Sequence, residues 1–278
     1  MHAYKYQGAG NDFVILDNRD GVIDLSNKQV KWLCDRRFGI GGDGLMLLGA
    51  SSEYDFTMKY YNSDGFEGTM CGNGGRCLVA FAAHLGIKKY EFTAIDGYHR
   101  ADLLDYGDHR CIVRLKMRDL PLMPNGASPV DIQNEGYFLN TGSDHFVIFV
   151  DDVANFDVDG EGKKWRWAKR FPKGANVNFV QIEPDQLRIR TYERGVEAET
   201  WACGTGVTAS SIAAYVRGAK CRYPDGTDGM RVKFNIQALG DRLAVDFLPQ
   251  PDNTFKDIYL TGPATKVFET DIDIDPVK

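Results

Sequence analysis

The chain has 278 residues, 43% of them hydrophobic, and a net charge of −6. At about 100–200 residues per domain, that length predicts two domains with ample core. The absence of any Lys- or Arg-rich run argues against a nucleic-acid surface, and no apolar stretch approaches the ~20 residues of a membrane span. In chain order, strands are predicted over 13–17, 44–48, 56–61, 90–94 and 111–117, then 146–150, 179–182, 187–192, 230–234 and 243–248. Most of these alternate apolar and polar residues or are rich in β-branched residues. Helical periodicity is clear over 27–37 (Val30, Leu33, Cys34), 73–85 (Cys77, Leu78, Phe81, Leu85) and 205–217 (Val207, Ile212, Val216). Gly86 and Gly218 follow the last two helices, as C-terminal glycines do. Residues 120–126 read as a linker. Thr261-Gly262-Pro263 reads as a break before a final strand, 265–268, that returns to the first half.

An internal repeat organises these elements. Met70-Cys71-Gly72-Asn73-Gly74 recurs as Ala202-Cys203-Gly204-Thr205-Gly206, and Asp12-Phe13-Val14-Ile15 as His145-Phe146-Val147-Ile148. Phe13 to Cys71 spans 58 positions and Phe146 to Cys203 spans 57. The predicted fold is therefore α+β: two similar domains, each a curved, mainly antiparallel sheet wrapped on a central helix. The first comprises 1–118 plus 263–278 and carries Cys71; the second comprises 119–262 and carries Cys203.

Each of these cysteines precedes a glycine-containing turn that opens a helix. Orphan N–H groups and the positive end of the helix dipole favour a thiolate there, and can lower a thiol pKa from about 8.5 into the range of roughly 3.5–7.5. The same N–H groups can bind a carboxylate. One thiol per repeat is the equipment that stereoinversion at a carbon needs, with one group removing a proton and another delivering one to the opposite face. Cys34, Cys77, Cys111 and Cys221 lack this setting; the first three read as core residues. Scattered spacing with no Cys-x-x-Cys pair argues against a secreted disulfide framework and against zinc. Residues 1–6 lack the apolar core of a signal peptide, so a cytoplasmic location is expected. Gly39-Ile40-Gly41-Gly42-Asp43-Gly44 matches G-x-G-x-x-G but precedes a strand, which argues against a dinucleotide site.

Lys5-Tyr6-Gln7-Gly8-Ala9-Gly10-Asn11-Asp12-Phe13 resembles the N-terminal signature of the diaminopimelate epimerase family. Tyr61-Asn62-Ser63-Asp64-Gly65, the segment from Cys71 to Cys77, Tyr192-Glu193-Arg194-Gly195, the segment from Glu199 to Gly206, and Thr261-Gly262-Pro263-Ala264 are similar to further family motifs, in order across nearly the whole chain. The resemblance implies interconversion of LL- and meso-diaminopimelate for lysine and cell-wall precursor synthesis, with no pyridoxal phosphate, no metal and no other cofactor. It implies Cys71 and Cys203 as acid and base, with His145 and Glu193 tuning the thiols. It implies substrate contacts from Asn11, Asn62, Gly72, Asn73, Asn176, Glu193, Arg194, Gly204 and Thr205. The expected partners are the small-molecule substrate and, as often in the family, a second copy in a homodimer; neither nucleic acid nor membrane is expected.

The residue types suit these roles. Arg194 can grip a distal carboxylate in bidentate fashion, and Asn11 can read both ammonium and carboxylate groups. Asn62 is assigned the place in the first repeat that Glu193 holds in the second, although it also reads as a turn residue. His145 stands at the repeat equivalent of Asp12. Many family members have Gly-Asn-Pro-His where this chain has Gly142-Ser143-Asp144-His145. A carboxylate at Asp144 is expected to favour protonated His145 and, through it, a thiolate. The segment after Arg194 is one residue longer than the common form, and Trp201 replaces a smaller residue. Two rival functions are a proline or hydroxyproline racemase of the same fold, which has no distal carboxylate for Arg194 to bind, and a thiol redox protein.

Overall fold

The computed structural model describes residues 1–121, 130–131, 135–224 and 230–274. It divides into two compact units, Met1–Leu115 with Gly262–Lys278, and Lys116–Thr261. The first unit holds β1 (His2–Gly8), β2 (Asn11–Asn18), α1 (Asn27–Cys34), β3 (Gly44–Gly49), β4 (Phe56–Asn62), α2 (Gly72–His84), β5 (Glu91–Ala94), β6 (Gly97–Tyr106) and β7 (Arg110–Lys116). The second holds β8 (Val130–Asp131), β9 (Tyr137–Asn140), β10 (Asp144–Phe149), α3 (Val158–Arg166), β11 (Asn176–Ile182), β12 (Leu187–Glu193), β13 (Ala198–Thr200), α4 (Gly204–Val216), β14 (Val232–Gln237) and β15 (Arg242–Pro249). The long β16 (Phe255–Asp271) contributes its first part to the second unit and the rest to the first.

In the first unit β1 to β7 pair in order, β16 pairs with β7, and β16 also pairs with β1. The sheet thus closes on itself, which leaves no free edge. Helix α2 lies against β1, β2, β3 and β6, and every residue from Gly72 to Ala82 is buried. Burial all round marks a helix enclosed by its sheet. The second unit repeats the pattern. There β2∥β3, antiparallel β4 and parallel β5 correspond to β10∥β11, antiparallel β12 and parallel β14. Helix α4 packs on β9, β10, β11, β12 and β15. Both helices end as predicted: Gly86 (φ 84°) and Gly218 (φ 85°) take the left-handed conformation that closes a helix C-terminus.

Three differences from the sequence expectation have local causes. The predicted break at Thr261-Gly262-Pro263 lies inside β16. Thr261 still pairs with β15 and Gly262 begins the pairing with β7, so the proline falls where the strand changes partner and interrupts neither ladder. Helix α3 escapes periodicity because its buried residues are Val158, Gly162 and Arg166. A Cβ at Gly162 would lie 2.4 Å from the Tyr192 Cβ, so this face packs through its lack of a side chain. Capping sets the helix instead, with the Asp157 carboxylate accepting from Gly160 N at 3.0 Å and Lys163, Lys164 and Arg166 in the last turn. Strand β6 has no buried residue; its half-buried positions, His99, Ala101 and Leu103, alternate with exposed ones but are mixed in polarity, so the sequence shows no clear apolar period. In the predicted linker, Leu120 is buried and bridges Phe255; residues 122–126 lie outside the described residues.

Candidate active site

Cys71 and Cys203 occupy the same structural position. Cys71 is the N-cap of α2 (φ −92°, ψ 131°) and Cys203 the N-cap of α4 (φ −105°, ψ 111°). Each backbone carbonyl accepts the first helical bond, from Gly75 N at 2.7 Å and Val207 N at 2.8 Å. The N–H groups of the first turns, at Gly72 and Asn73 and at Gly204 and Thr205, come before that bond in each helix. Neither turn contains an acidic residue that would oppose an anion.

In the first unit a polar cluster surrounds Cys71. The Asn11 amide donates from Nδ2 to the Asp43 carboxylate at 2.5 Å, which leaves Oδ1 facing the sulfur at 3.7 Å and Asn73 Nδ2 at 3.4 Å. Arg36 bridges Asp43 and Asp12, and buried Lys5 pairs with Asp12 at 2.7 Å. Burial opposes the Asp12 charge, but bonds from Arg36 and Lys5 outweigh it and hold the pKa down at about 2. Buried Arg76 donates to Asn73 Oδ1 (3.0 Å), Gly72 O (3.3 Å) and Pro263 O (3.4 Å), fixing the start of α2. Asn62 is exposed and its backbone closes the turn to Phe66, with Asn62 N donating to Phe66 O at 2.9 Å. The ladders also correct its assignment. Asn62 lies opposite Gly44, whereas Val177, the equivalent of Gly44, lies opposite Tyr192, so Glu193 is one residue further on.

In the second unit the side chains form a continuous chain. Cys203 Sγ lies 3.4 Å from Thr205 Oγ1, which lies 2.9 Å from His145 Nε2. Ser143 Oγ is 3.0 Å from the same nitrogen and accepts from Asn176 Nδ2 at 3.1 Å. Asn176 Oδ1 accepts the backbone N–H of Arg194 at 2.9 Å. The Arg194 guanidinium donates to the carbonyls of Lys173 and Gly174 and stands 3.8 Å from Asp144. Glu193 accepts from the Thr200 hydroxyl at 3.0 Å. The longer turn after Arg194 is tied down by Glu197, which binds Arg166 at 3.1 Å and the Gly195 N–H at 3.0 Å. Trp201 is exposed, with its carbonyl bonded to Gly240 N.

The expected protonated His145 is overturned. The ring is fully buried, and loss of hydration, helped by the Arg194 charge, depresses its pKa from 6.5 to about 3. Asp144 turns instead to Asn140 Nδ2, at 2.7 Å, and to Arg194. A folded-state pKa below the unfolded value means the unfolded chain binds the extra proton. The His145 contribution to stability is therefore complete above about pH 6.5 and declines as pH falls toward 3. Thermal melts from pH 7 to pH 4 should show Tm falling, with a shallower slope in His145→Gln. Equal slopes would contradict the buried neutral ring.

The core cysteines behave as predicted. Burial pushes the Cys34 and Cys77 thiols up to about 12 and raises Cys111. Among the described residues no His, Cys, Asp and Glu group could hold a metal ion, and no helix is long and apolar enough to cross a membrane. Sequence reasoning missed Asp43, Arg36, Asn178 and Thr191, which hold the assigned residues in place. One signal was present: Asn176 and Asn178 alternate on a strand whose neighbours Val177, Phe179 and Val180 are apolar.

The sequence profile described as diaminopimelate epimerase matches residues 3–98 and 137–267. A diaminopimelate epimerase of Flavobacterium psychrophilum is 47% identical over 98% of this chain and 100% of its own. One of Chlorobaculum tepidum is 42% identical over 94% and 97%. Among solved structures, a phenazine biosynthesis protein of the PhzF family from Bacillus anthracis is similar with a TM-score of 0.68 at 13% identity, covering 98% of this chain and 99% of that one. A probable proline racemase from Agrobacterium radiobacter gives 0.64 at 16% identity, covering 99% and 93%. At such identities the two structures show a shared fold alone.

Proposed function

The chain belongs to the diaminopimelate epimerase family, and we infer from this that it interconverts LL- and meso-2,6-diaminopimelate in lysine and peptidoglycan precursor biosynthesis. In this reading Cys71 and Cys203 are the acid–base pair: one thiolate takes the α-proton and the other thiol gives a proton to the opposite face. The observation that carries it is the matched placement of both thiols as N-caps of the two enclosed helices. Removing an α-proton places negative charge on the carbon and its carboxylate. Helix N-terminal N–H groups at Gly72, Asn73, Gly204 and Thr205 are suited to hold that charge without reorganisation. The chemistry drawn here calls on neither pyridoxal phosphate nor a metal.

The sulfurs meet different partners. Cys71 faces the carbonyl oxygen of Asn11, an acceptor that suits a thiol, whereas Cys203 faces a hydroxyl. Arg194, whose backbone Asn176 fixes, is the group for the distal carboxylate, and Glu193 for an ammonium. The proline racemase reading is not favoured, because a cyclic imino acid offers no second carboxylate. None of the six cysteines is in a disulfide, which fits a cytosolic enzyme that works reduced, and a homodimer is the proposed assembly. The test is incubation in deuterated water with reductant. LL-diaminopimelate should gain α-deuterium and yield the meso isomer, and proline should not exchange. Exchange with proline alone, or with neither compound, would overturn the assignment.

A further inference from the structure

The polar chain behind Cys203 has a direction that its own partners fix. Asn178 is fully buried. Its Nδ2 lies 3.4 Å from the carbonyl of Phe146, which can only accept, and its Oδ1 accepts the Thr191 hydroxyl at 3.0 Å. The carbonyl fixes the amide orientation and the Thr191 hydroxyl, able to donate, fits it, so Nδ2 donates to Nδ1 of His145 at 3.1 Å. A nitrogen that accepts carries no proton, which puts the ring proton on Nε2. That N–H points at Thr205 Oγ1 (2.9 Å) and Ser143 Oγ (3.0 Å). Ser143 Oγ also accepts from Asn176, which occupies one of its two lone pairs. The Thr205 hydroxyl, the nearer of the two oxygens, accepts from His145 and keeps its own hydrogen, with Cys203 Sγ and Ser143 Oγ each 3.4 Å away.

We propose that Asn178 is a positioning residue that sets the polarity of this chain: by donating to His145 Nδ1 it fixes the tautomer that turns the Thr205 hydroxyl into a donor to Cys203, which stabilises the Cys203 thiolate. The proposal rests on the reading of Cys203 as a working thiol. A donor aimed at sulfur favours its charged form. Gly206 supports the arrangement, since a Cβ there would lie 2.3 Å from Asn178 Oδ1 and 3.2 Å from the His145 ring. The other charged groups around the chain are accounted for: Asp144 on β10 binds Asn140 and Arg194, Arg194 follows β12 and binds two carbonyls, and Glu193 on β12 binds Thr200.

Asn178→Asp tests it, because a carboxylate only accepts. It calls the ring proton to Nδ1, leaves Nε2 to accept from Thr205, and withdraws the donor from Cys203. The pH dependence of iodoacetamide labelling, resolved by peptide mass, reads each thiol in one sample, and ¹⁵N NMR of the imidazole reads the tautomer. The Cys203 midpoint should rise by about one pH unit or more, since one unit is 1.36 kcal/mol and a bond to a charged group is worth at least that. The Cys71 midpoint should stay in place, and Thr205→Val should reproduce the Cys203 shift while Thr205→Ser restores it. An unmoved Cys203 midpoint with an inverted tautomer overturns the proposal. If Asn178→Asp does not fold, the wild-type ring decides: a proton on Nδ1 overturns it equally. Full isotope exchange by Cys203→Ser would instead defeat the catalytic reading while leaving these two readouts valid.

Discussion

Cys71→Ser and Cys203→Ser should each lose α-proton exchange and epimerisation while remaining folded. A serine hydroxyl does not ionise near neutral pH, so the acid–base step disappears, and loss of a positioned acid–base group costs about 10²–10⁴ in rate. Serine is at the same time a better N-cap than cysteine, because its oxygen can accept from the second or third helical N–H. Neither cysteine side chain makes a cap bond now, so the substitution gives α2 and α4 one bond more. The expected pattern is thus unusual: melting temperature unchanged or raised, activity gone. The measurement is deuterium uptake at the α-carbon of LL- and meso-diaminopimelate for each variant, beside a thermal melt. More than a few per cent of wild-type turnover in either variant would sink the two-thiol reading.

Arg76→Met should be the most damaging change outside the thiols, and it should act on both stability and rate. Arg76 has no solvent exposure, and its guanidinium serves Asn73 Oδ1, Gly72 O and Pro263 O. Methionine fills much of the volume but leaves these acceptors without that donor, at about 1–3 kcal/mol for each buried group left unpaired. A loss of about 3 kcal/mol corresponds to a Tm drop of roughly 6–12 °C for a domain of this size. Pro263 ties β16 to the helix, so the closure of the first barrel loosens along with the first turn of α2. Arg76→Lys, which keeps one donor, should fall between. A Tm within about 1 °C of wild type would show that solvent or neighbouring groups satisfy these carbonyls.

Legibility followed the kind of signal each element carries. The strands 44–48 and 187–192 and the two enclosed helices were readable because apolar period and helix-ending glycines coincide there. Helix α3 and strand β6 were not, since one buries glycine and arginine and the other buries nothing. The same division holds at the site. The cysteines and Arg194 stand in motifs that a linear reading reaches. Asn178 and Thr191 do not, because they face each other across the β11–β12 ladder.

The repeat, the two N-cap thiols and the family are therefore properties of the linear chain: each depends on spacing and residue type over short range, where chain geometry leaves little choice. The protonation and orientation of the site are not. Asp144 adjoins His145 in sequence, which predicts a cation, yet the fold buries the ring completely, turns Asp144 toward Asn140 and Arg194, and sets Asn178 against Nδ1. Burial and long-range partners decide charge, because desolvation and hydrogen bonding depend on which strands meet, and only the β10–β11 and β11–β12 ladders bring these strands together.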